Sequence, residues 1–462
     1  MGQLVPVGCV EVLPGDTFQH RTSALIRLSP QLAPVMHPVQ ARIHHWFVPN
    51  RIVWDEWEEF ITGGTSFTYP TVNQTSTEGN LLDYLGVPPI DGLEVGAMPL
   101  RAYNTIYNEN YRDQDLQVEI DPNTSLTVRP VSWEKDYFTT ARPWTQKGGE
   151  ITIPLGQNAP IKGIGKVNQN FDSVAQSVYE SDGSNPTYPS SQLIDNAGNA
   201  VFHVQEDPLN AGYPGMYADL SVATGTDVRQ LRMAFALQRY QEARARYGSR
   251  FTEYLRYLGI RSSDARLQRP EYLGGGKATI SFSEVLQTAP GTSGVVGDLL
   301  GHGIAAIRTR RYRRFFEEHG HVITLLSVRP KAMYMESLHK KYQRRIMEDY
   351  YQKELEHVGQ EEIRDRELWA QSPVNGIFGY GDRYRNYREE PSTVHAEFRS
   401  TLDYWHLARG FQSQPVLNSS FTDCVPSKRI FAEQTQNSLW VMVNHSLVAR
   451  RLVGRSAYGR VI

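Results

Sequence analysis

The stretch "IRTRRYRRFF", from Ile307 to Phe316, places five guanidinium groups within seven residues. A guanidinium group stays charged and presents its N–H donors in a planar fork that matches the oxygen atoms of phosphates and carboxylates. Alternation along an extended segment would place these arginines on both of its faces, which favours an edge or a loop over the core. The five residues are Arg308, Arg310, Arg311, Arg313 and Arg314.

Three roles fit this arginine segment. Its side chains could contact nucleic-acid phosphates while Tyr312 or Phe316 stacks on an unpaired base. They could instead face acidic groups of a neighbouring subunit, since Glu317 and Glu318 follow directly. They could also form a solvated strand edge whose positive charge discourages unwanted pairing. The phosphate contact is the favoured interpretation, and the other two stay open.

A second basic segment, "ARRLVGRSAYGRVI", carries Arg450, Arg451, Arg455 and Arg460, and no acidic residue follows Glu433. We expect these four side chains either to contact nucleic-acid phosphates or to belong to a strand end that lies under a neighbouring subunit. Phosphate contacts carry no base sequence information. Any nucleic-acid binding by the two segments should therefore be weak and independent of sequence.

The overall composition restricts such binding to local clusters. The chain has 48 basic and 50 acidic residues, and its formal net charge is −2, so no global positive field attracts nucleic acid. Its 25 tyrosines suit partly solvent-exposed surfaces and subunit contacts, because tyrosine combines an apolar ring with a polar hydroxyl. The two cysteines, Cys9 and Cys424, form neither a zinc pattern nor a disulfide framework, which indicates a reducing compartment.

No set of residues in the sequence fits a catalytic or metal centre. Gly301–Ala306 matches G-x-G-x-x-A, but neither a convincing strand before it nor a ribose-binding acid after it is present. "GGGK" at Gly274–Lys277 indicates a flexible turn. His44 and His45 are adjacent on a predicted strand and point to opposite faces, and "EEHGH" at 317–321 is a turn more often than a metal site. We expect no catalytic residue, metal or cofactor.

Both ends of the sequence predict β-strands. After a turn at Leu13–Asp16, apolar and polar residues alternate up to Leu28, as in a strand with one buried face. The pattern returns at 39–48. The run "SLWVMVNHSLV" at 438–448 is rich in β-branched and large apolar residues, which favours a strand, and "HVITLLSVRP" at 321–330 is predicted to be a short buried strand stopped by proline.

Helices and loops are predicted between these strands. Helical spacing of apolar residues occurs in "WDEWEEFI" at 54–61, in "LRAYNTIYNENY" at 100–111, and over 227–258, where Gly248 should break or bend the helix. The segment from Leu155 to Gly225 is rich in Gly, Ser, Asn and Pro, which indicates an exposed insertion within one domain spanning residues 1–462. An all-β jelly roll with long, helix-containing loops fits this organisation.

Nothing in the sequence predicts a membrane or secretory segment. The longest clean apolar run, at 322–328, is far shorter than a bilayer requires. The sequence begins with no basic region and no cleavage-like site. We therefore expect a soluble protein that is not secreted through a signal peptide.

Six strings carry a resemblance to a known family. In chain order, from about residue 12 to about residue 411, they are "VLPGDTF", "FVPNRIVWDEWEEF", "LRAYNTIYNENYRDQDL", "DARLQRPEYLGGG", "EEHGHVITLLSVRP" and "EFRSTLDYWHLARGF". Together they resemble the major capsid protein of the Microviridae, and most closely its gokushovirus-like branch. The "LQRPEYLGG" and N-R-x-V-W-D-x-W strings are the specific ones, and the resemblance covers nearly the whole chain except the insertion.

This resemblance implies an eight-stranded antiparallel jelly roll that self-assembles into a small icosahedral (T=1) shell around a circular single-stranded DNA phage genome. It implies no enzymatic activity and no cofactor. The implied partners are other copies of the chain, the packaged DNA, an internal scaffolding protein, a DNA pilot protein, a small basic DNA-binding protein and a host surface receptor. The implied location is the virion, assembled in the bacterial cytoplasm, with residues 155–225 as an outward protrusion.

Two other classes of protein stay open from the residues alone. An all-β carbohydrate-active enzyme would need two carboxylates facing each other across a cleft, and no pair in the sequence is placed that way. A standalone nucleic-acid-binding protein would need a much more basic chain. The arginine segment is denser than the family pattern, so the resemblance assigns it no role.

Overall fold

The structure is a computed structural model that describes residues 1–63, 67–149, 151, 161–162, 164–165, 191–196, 200–205, 217–218, 228–288, 296–373 and 376–452. The strands are β1 (Leu4–Val12), β2 (Thr17–Leu28), β3 (Val39–Pro49), β4 (Thr71–Asn73), β5 (Glu94–Gly96), β6 (Ile161–Lys162), β7 (Ile164–Gly165), β8 (Ser191–Asn196), β9 (Ala200–Gln205), β10 (Tyr217–Ala218), β11 (Glu271–Thr279), β12 (Ser281–Leu286), β13 (Leu299–Arg308), β14 (Tyr312–Phe315), β15 (Gly320–Pro330), β16 (Gln360–Arg364), β17 (Ile377–Asp382) and β18 (Leu439–Arg450).

The α-helices are α1 (Asn50–Val53), α2 (Trp57–Ile61), α3 (Leu81–Tyr84), α4 (Met98–Asn110), α5 (Val228–Tyr247), α6 (Phe251–Tyr257), α7 (Asp365–Leu368) and α8 (Ser419–Thr422). Short 3₁₀ segments occur at Lys340–Tyr342, Met347–Asp349, Lys353–Leu355, Arg385–Tyr387, Ala396–Arg399 and Asp403–Trp405. No helix in the described part of the chain is long and apolar enough to cross a bilayer.

Two antiparallel sheets form the centre of the protein. Sheet A has the order β1-β15-β3-β11. Sheet B has the order β12-β13-β2-β14, and β18 pairs with β2 along its whole length. Strands from the two ends of the chain therefore lie side by side: β1 pairs with β15, and β2 pairs with β18. The protein is mostly β-sheet and its sheets are antiparallel, as the alternation in the sequence predicts.

The predicted alternation sets the inner face of sheet B. Phe18, Ala24 and Ile26 of β2 are buried, whereas Arg27 in the same strand is exposed. An apolar cluster joins the two sheets, in which β2 side chains share a core with side chains of β3 and β15. Full burial of each Val, Leu or Ile side chain contributes about 1.5–3 kcal/mol before entropy costs. The members from the three strands are Ala24, Ile26, Leu28, Val39, Ala41, Ile43, Leu326 and Val328.

Helix α4 covers the outer face of sheet A. Its Leu100, Tyr103 and Ile106 are fully buried against side chains that include Leu4 of β1 and Leu325 of β15. The Tyr103 hydroxyl donates a hydrogen bond to the Leu4 carbonyl at 2.7 Å, which joins the helix to the edge of the sheet. Because sheet A is covered on both faces, β15 is buried along almost its entire length. This burial explains its uninterrupted apolar run.

The prediction of a flexible turn at Gly274–Lys277 is wrong, since these residues lie within β11 and pair with β3. Glycine is needed there for close approach. A methyl group added at Gly275 would lie 2.2 Å from the Ile43 carbonyl oxygen. The register also shifts between Tyr272 and Gly274, as in a β-bulge. The long predicted helix at 227–258 is divided into α5 and α6 near Gly248, whose φ is +99°.

The chain divides into two compact units, residues 1–147 with 242–462 and residues 148–241. The second unit contains the two-stranded sheet β10-β6 and the three-stranded sheet β7-β9-β8. Most of the segment from Leu155 to Gly225 lies outside the described residues. Its predicted role as an exposed insertion therefore stays a prediction.

Candidate nucleic-acid interface

The arginine segment is divided between two strands of sheet B. Strand β13 ends at Arg308, which pairs with Ser23, and β14 begins at Tyr312, which pairs with His20. Four steps along this segment therefore match three steps along β2, so one residue is extra, as in a β-bulge. The bulge interrupts the alternation expected for a continuous extended segment. As a result Thr309 and Tyr312 both turn inward.

All five arginines of this segment are exposed. Arg314 forms an ion pair with Glu271 at 2.7 Å. Arg310 and Arg311 lie in the turn between β13 and β14, and Arg308 and Arg313 lie on the strands themselves. The segment is therefore neither buried nor concentrated at one point.

Strand pairing aligns Arg308 and Arg313 with further arginines on the outer face of sheet B, which we call the open face. Its positions on β2 include Arg21 and Arg27, and β18 adds Arg450 opposite Thr17. Burial and then the charges of Arg308 and Arg311 lower the pKa of Arg21. The open face is formed by Thr17, Gln19, Arg21, Ser23, Leu25, Arg27, Leu300, His302, Ile304, Ala306, Arg308, Arg313, Phe315, Trp440, Met442, Asn444, Ser446, Val448 and Arg450.

Large apolar side chains are interspersed among the charges of the open face. Phe315 is 55% exposed, Trp440 is 47% exposed, and Trp440 lies opposite Arg27 on the neighbouring strand. None of the open-face positions just named is Asp or Glu. Guanidinium groups bind phosphates and exposed rings stack on unpaired bases, so this surface has the chemistry of a single-stranded nucleic-acid contact.

Sequence reasoning did not identify Arg21, Arg27 or Trp440 as members of this surface. The signal for the two arginines was present, since both lie on the polar side of the predicted strand β2. Their alignment with Arg308 and Arg313 depends on the long-range pairing of β2 with β13 and β14. Local periodicity contains no information about that pairing.

The four predicted residues of the C-terminal basic segment have different surroundings. Arg450 is exposed on the open face. Arg451 Nε instead lies 3.1 Å from Oδ2 of Asp16, a carboxylate that is completely buried. The guanidinium group of Arg451 is therefore engaged within the protein. Arg455 and Arg460 lie outside the described residues.

A cluster of histidines lies beneath the open face, between the two sheets. His20 Nε2 is 3.2 Å from His445 Nδ1, the Tyr312 hydroxyl is 3.1 Å from His20 Nδ1, and the rings of His20 and His45 are 4.8 Å apart. Burial, followed by the neighbouring histidines, lowers the pKa of His45 to about 3 and that of His20 to about 4. These two rings are therefore neutral at pH 7 and belong to the interior.

His44 points away from this cluster. This was predicted, because His44 and His45 are adjacent on one strand and adjacent side chains point to opposite faces. Its Nδ1 lies 2.6 Å from the Tyr111 hydroxyl on the α4 side of sheet A. Within the described ranges, no three His, Cys, Asp or Glu side chains gather in a way that could hold a metal ion.

The fold and the open face define a class of protein: an antiparallel two-sheet protein whose prominent surface is a broad basic and aromatic sheet face. Residues 1–453 match the family model described as "Capsid protein (F protein)", and the chain belongs to this family. The resemblance to the Microviridae capsid protein is thereby confirmed.

Three curated relatives show how much of the chain the similarity covers. Capsid protein VP1 of Bdellovibrio phage phiMH2K is 34% identical over 451 residues, which cover 91% of this chain and 84% of the relative. Capsid protein VP1 of Chlamydia phage 1 is 31% identical over 514 residues, covering 91% and 86%. Capsid protein VP1 of Spiroplasma virus 4 is 29% identical over 473 residues, covering 91% and 84%.

Membership in this family decides between the classes left open by the residues. The chain is a major capsid protein, a structural component of a phage virion, and it is not an enzyme. The alternative of a carbohydrate-active enzyme has no support.

Proposed function

We propose that copies of this chain close into a small icosahedral (T=1) shell around a circular single-stranded DNA genome. The observation that carries this proposal is the match of one capsid family over residues 1–453. A chain that matches capsid proteins along nearly its whole length has little sequence left for a separate activity. Containment of the genome is therefore its principal task.

The sandwich of sheets A and B is an eight-stranded jelly roll in this proposal. Strands β1, β2 and β3 alternate between the two sheets, as do β14, β15 and β18. Pairing of early strands with late ones is typical of the Greek-key connections from which jelly rolls are built. The eight strands are β1, β2, β3, β11, β12, β13 continued by β14, β15 and β18.

The open face is the surface that contacts the packaged strand. The open face has five arginines and no carboxylate among its named positions, and these arginines supply phosphate contacts. Trp440 and Phe315 supply stacking surfaces. The five are Arg21, Arg27, Arg308, Arg313 and Arg450. Arg310 and Arg311, in the adjoining turn, extend the same positive surface. Binding of this kind is weak per subunit, and repetition over a closed shell makes it strong.

The remaining partners follow from the family alone. They are an internal scaffolding protein, a DNA pilot protein, a small basic DNA-binding protein and a host surface receptor, with assembly in the bacterial cytoplasm. The segment from Leu155 to Gly225 forms an outward protrusion on the shell. Its Gly, Ser, Asn and Pro content supports an exposed position.

Electron microscopy of the purified, expressed chain tests the shell. We expect uniform closed particles, or the small rings that precede them, when the chain is expressed with its internal scaffolding protein. A chain that stays monomeric under those conditions, at concentrations well above those of its cellular expression, contradicts the proposal.

A further inference from the structure

A polar cavity of about 310 Å³ lies on the α4 side of sheet A, and none of its lining residues belongs to the open face. Its lining includes Arg42 and His44 of β3, Arg329 of β15, and the residues that directly follow α4. The lining residues are Arg42, His44, Asn110, Tyr111, Arg112, Asp113, Gln114, Asp115, Val131, Ser132, Trp133, Glu134, Lys135, Arg142, Ser249, Arg250, Glu253, Ser327 and Arg329.

The lining carries an excess of positive charge. Six cationic side chains and four carboxylates contribute to it, which leaves two positive charges uncompensated. The cations are Arg42, Arg112, Lys135, Arg142, Arg250 and Arg329, and the carboxylates are Asp113, Asp115, Glu134 and Glu253. His44 adds no charge at pH 7, because burial, followed by the nearby charges of Arg42 and Arg329, lowers its pKa to about 4.

Partners within the protein already occupy the four carboxylates. Asp113 accepts from Lys135 at 2.5 Å and from Arg142 at 3.3 Å. Asp115 accepts from Lys147 at 3.0 Å, and Glu134 accepts from Arg42 at 2.6 Å. Glu253 accepts from the backbone N–H of Arg250 at 3.0 Å. The remaining cations therefore compete for acceptors that are already in use.

Two arginines of the cavity have no carboxylate partner among the described residues. Arg329 donates to the Ser132 carbonyl at 2.7 Å, and Arg250 donates to the Arg112 carbonyl. Within the described part of the chain, the buried Nε atoms of both, and those of Arg42 and Arg112, have no hydrogen-bond partner, and neither does Nδ2 of Asn110. Unpaired buried donors are costly and rare, so five around one cavity indicate an acceptor-rich ligand.

We propose that this cavity binds a phosphate group, either inorganic phosphate or a phosphodiester of the packaged strand. Phosphate presents several charged acceptor oxygens in tetrahedral directions, whereas a carboxylate presents two in one plane. Guanidinium forks from separate parts of the lining, such as Arg329 of β15 and Arg250 just before α6, suit a tetrahedral ligand. The cavity has room for one phosphate with several waters, each of which occupies about 30 Å³. The site goes beyond the proposed function, because it lies on sheet A and not on the open face.

Thermal unfolding of the purified chain in increasing inorganic phosphate, against sodium chloride of equal ionic strength, tests the site. We expect a saturable rise of Tm in phosphate alone, with one phosphate bound per chain by calorimetry. Arg329→Gln should weaken this binding about tenfold or more, because it removes charge-assisted hydrogen bonds. The control Arg388→Gln, an exposed arginine outside the cavity, should leave it unchanged.

A second variant keeps the test decisive if Arg329→Gln fails to fold. Arg250→Gln alters another part of the lining and should weaken phosphate binding in the same way. Equal Tm curves in phosphate and chloride, or equal phosphate binding in the variants and the control, overturn the proposal.

The source of the phosphate group is decided by competition with a short oligothymidylate. Displacement of inorganic phosphate by the oligonucleotide in the wild-type chain, but not in Arg329→Gln, assigns the site to a phosphodiester. Undisturbed phosphate binding assigns it to the free ion, and both outcomes support the site. These measurements need no assembled particle, so a failure to form shells affects the proposed function and leaves this inference intact.

Discussion

Buried histidines make the free energy of unfolding of this protein depend on pH between pH 7 and pH 4. A histidine in the unfolded chain takes up a proton near pH 6.5, whereas His20 and His45 stay neutral down to about pH 4 and about pH 3. Between these values the unfolded chain binds more protons than the folded chain. The free energy of unfolding should therefore fall as pH drops from 7 to 4, by about 1.4 kcal/mol per pH unit for each such histidine.

Denaturant unfolding at pH 7, 6, 5 and 4 measures this slope. His45→Gln, which removes a titrating group and keeps a polar side chain near Thr324 and Thr309, should reduce the slope by about one histidine's share. The control Met36→Leu, at an exposed position without a titrating group, should not change it. A slope that is the same in all three proteins contradicts the assignment.

Arg450 and Arg451 are adjacent in the sequence, but Arg450 is exposed whereas Arg451 forms an ion pair with the buried Asp16. Arg451→Ala leaves the buried carboxylate of Asp16 with the backbone N–H of Leu13 as its one donor among the described residues, and we expect a loss of about 1–3 kcal/mol of stability. Arg450→Ala, at an exposed position, should change stability by no more than about 0.5 kcal/mol. Urea denaturation of the two variants compares them directly, and equal midpoints would contradict this distinction.

The sequence predicted the arginine positions and could not predict their partners. Spacing alone identified the five arginines of the segment at 308–314. It could not separate Arg314, which is paired with Glu271, from Arg313, which lies on the open face. The difference depends on which residue of a distant strand each arginine contacts, and the periodicity of one strand contains no information about those contacts.

At the scale of elements, the glycines of β11 allow two strands to approach closely. An alanine at Gly275 would place its methyl group against the Ile43 carbonyl oxygen, so β11 would have to move away from β3. We expect Gly275→Ala to lower the free energy of unfolding by about 2–3 kcal/mol, measured in urea. Gly149→Ala is the control, because no atom of the described residues lies within 4 Å of a methyl group placed there. A fully stable Gly275→Ala variant would show that the strands do not pack this closely.

The open face should give single-stranded DNA binding that depends strongly on salt. Replacing Arg21, Arg308 and Arg313 by Ala removes three phosphate contacts, which should reduce the slope of log K against log salt by about 2. Fluorescence anisotropy of a labelled oligothymidylate measures this slope at several salt concentrations.

A triple variant of Arg345, Arg388 and Arg399 changes the net charge equally at exposed positions elsewhere, and its slope should match the wild type. If both triple variants lose the same slope, binding follows net charge and not the open face. That result would remove the interface from this surface.

Strands with a clear apolar pattern could be predicted from the sequence, whereas the glycine-rich strands could not. The alternation in β2 and the apolar runs of β15 and β18 identified those strands correctly. The strand β11 contains "GGGK", which indicated a flexible turn, and β13 contains "GHGIAA", which has no clear strand period. Both are strands because neighbouring strands supply their hydrogen bonds, and close packing excludes larger side chains.

At the scale of the whole molecule, sheet A and sheet B differ in what covers them. Sheet A has α4 on its outer face and the polar cavity beside that helix, so its central strands β3 and β15 are mostly buried. Sheet B leaves a basic and aromatic face exposed. A shell protein needs one surface that contacts the genome. The exposed basic face of sheet B is such a surface, although the composition of the whole chain is not basic. The net charge of −2 is thus compatible with a nucleic-acid contact.

The arrangement of the two sheets was predictable only in outline. Strand patterns at both ends of the sequence indicated an all-β core, and the six family strings indicated a capsid protein. Which strands pair, and hence which arginines share a face, depends on contacts between residues several hundred positions apart, such as Arg27 with Trp440. No local pattern encodes such contacts.

A cryo-electron microscopy map of the assembled particle at side-chain resolution would show which way the open face points and what lies against it. We expect a closed shell with the open face turned inward and density for nucleotides beside Arg308, Arg313 and Trp440. A shell whose open face points outward to solvent, or is buried against a neighbouring subunit with no nucleotide beside it, would contradict the account.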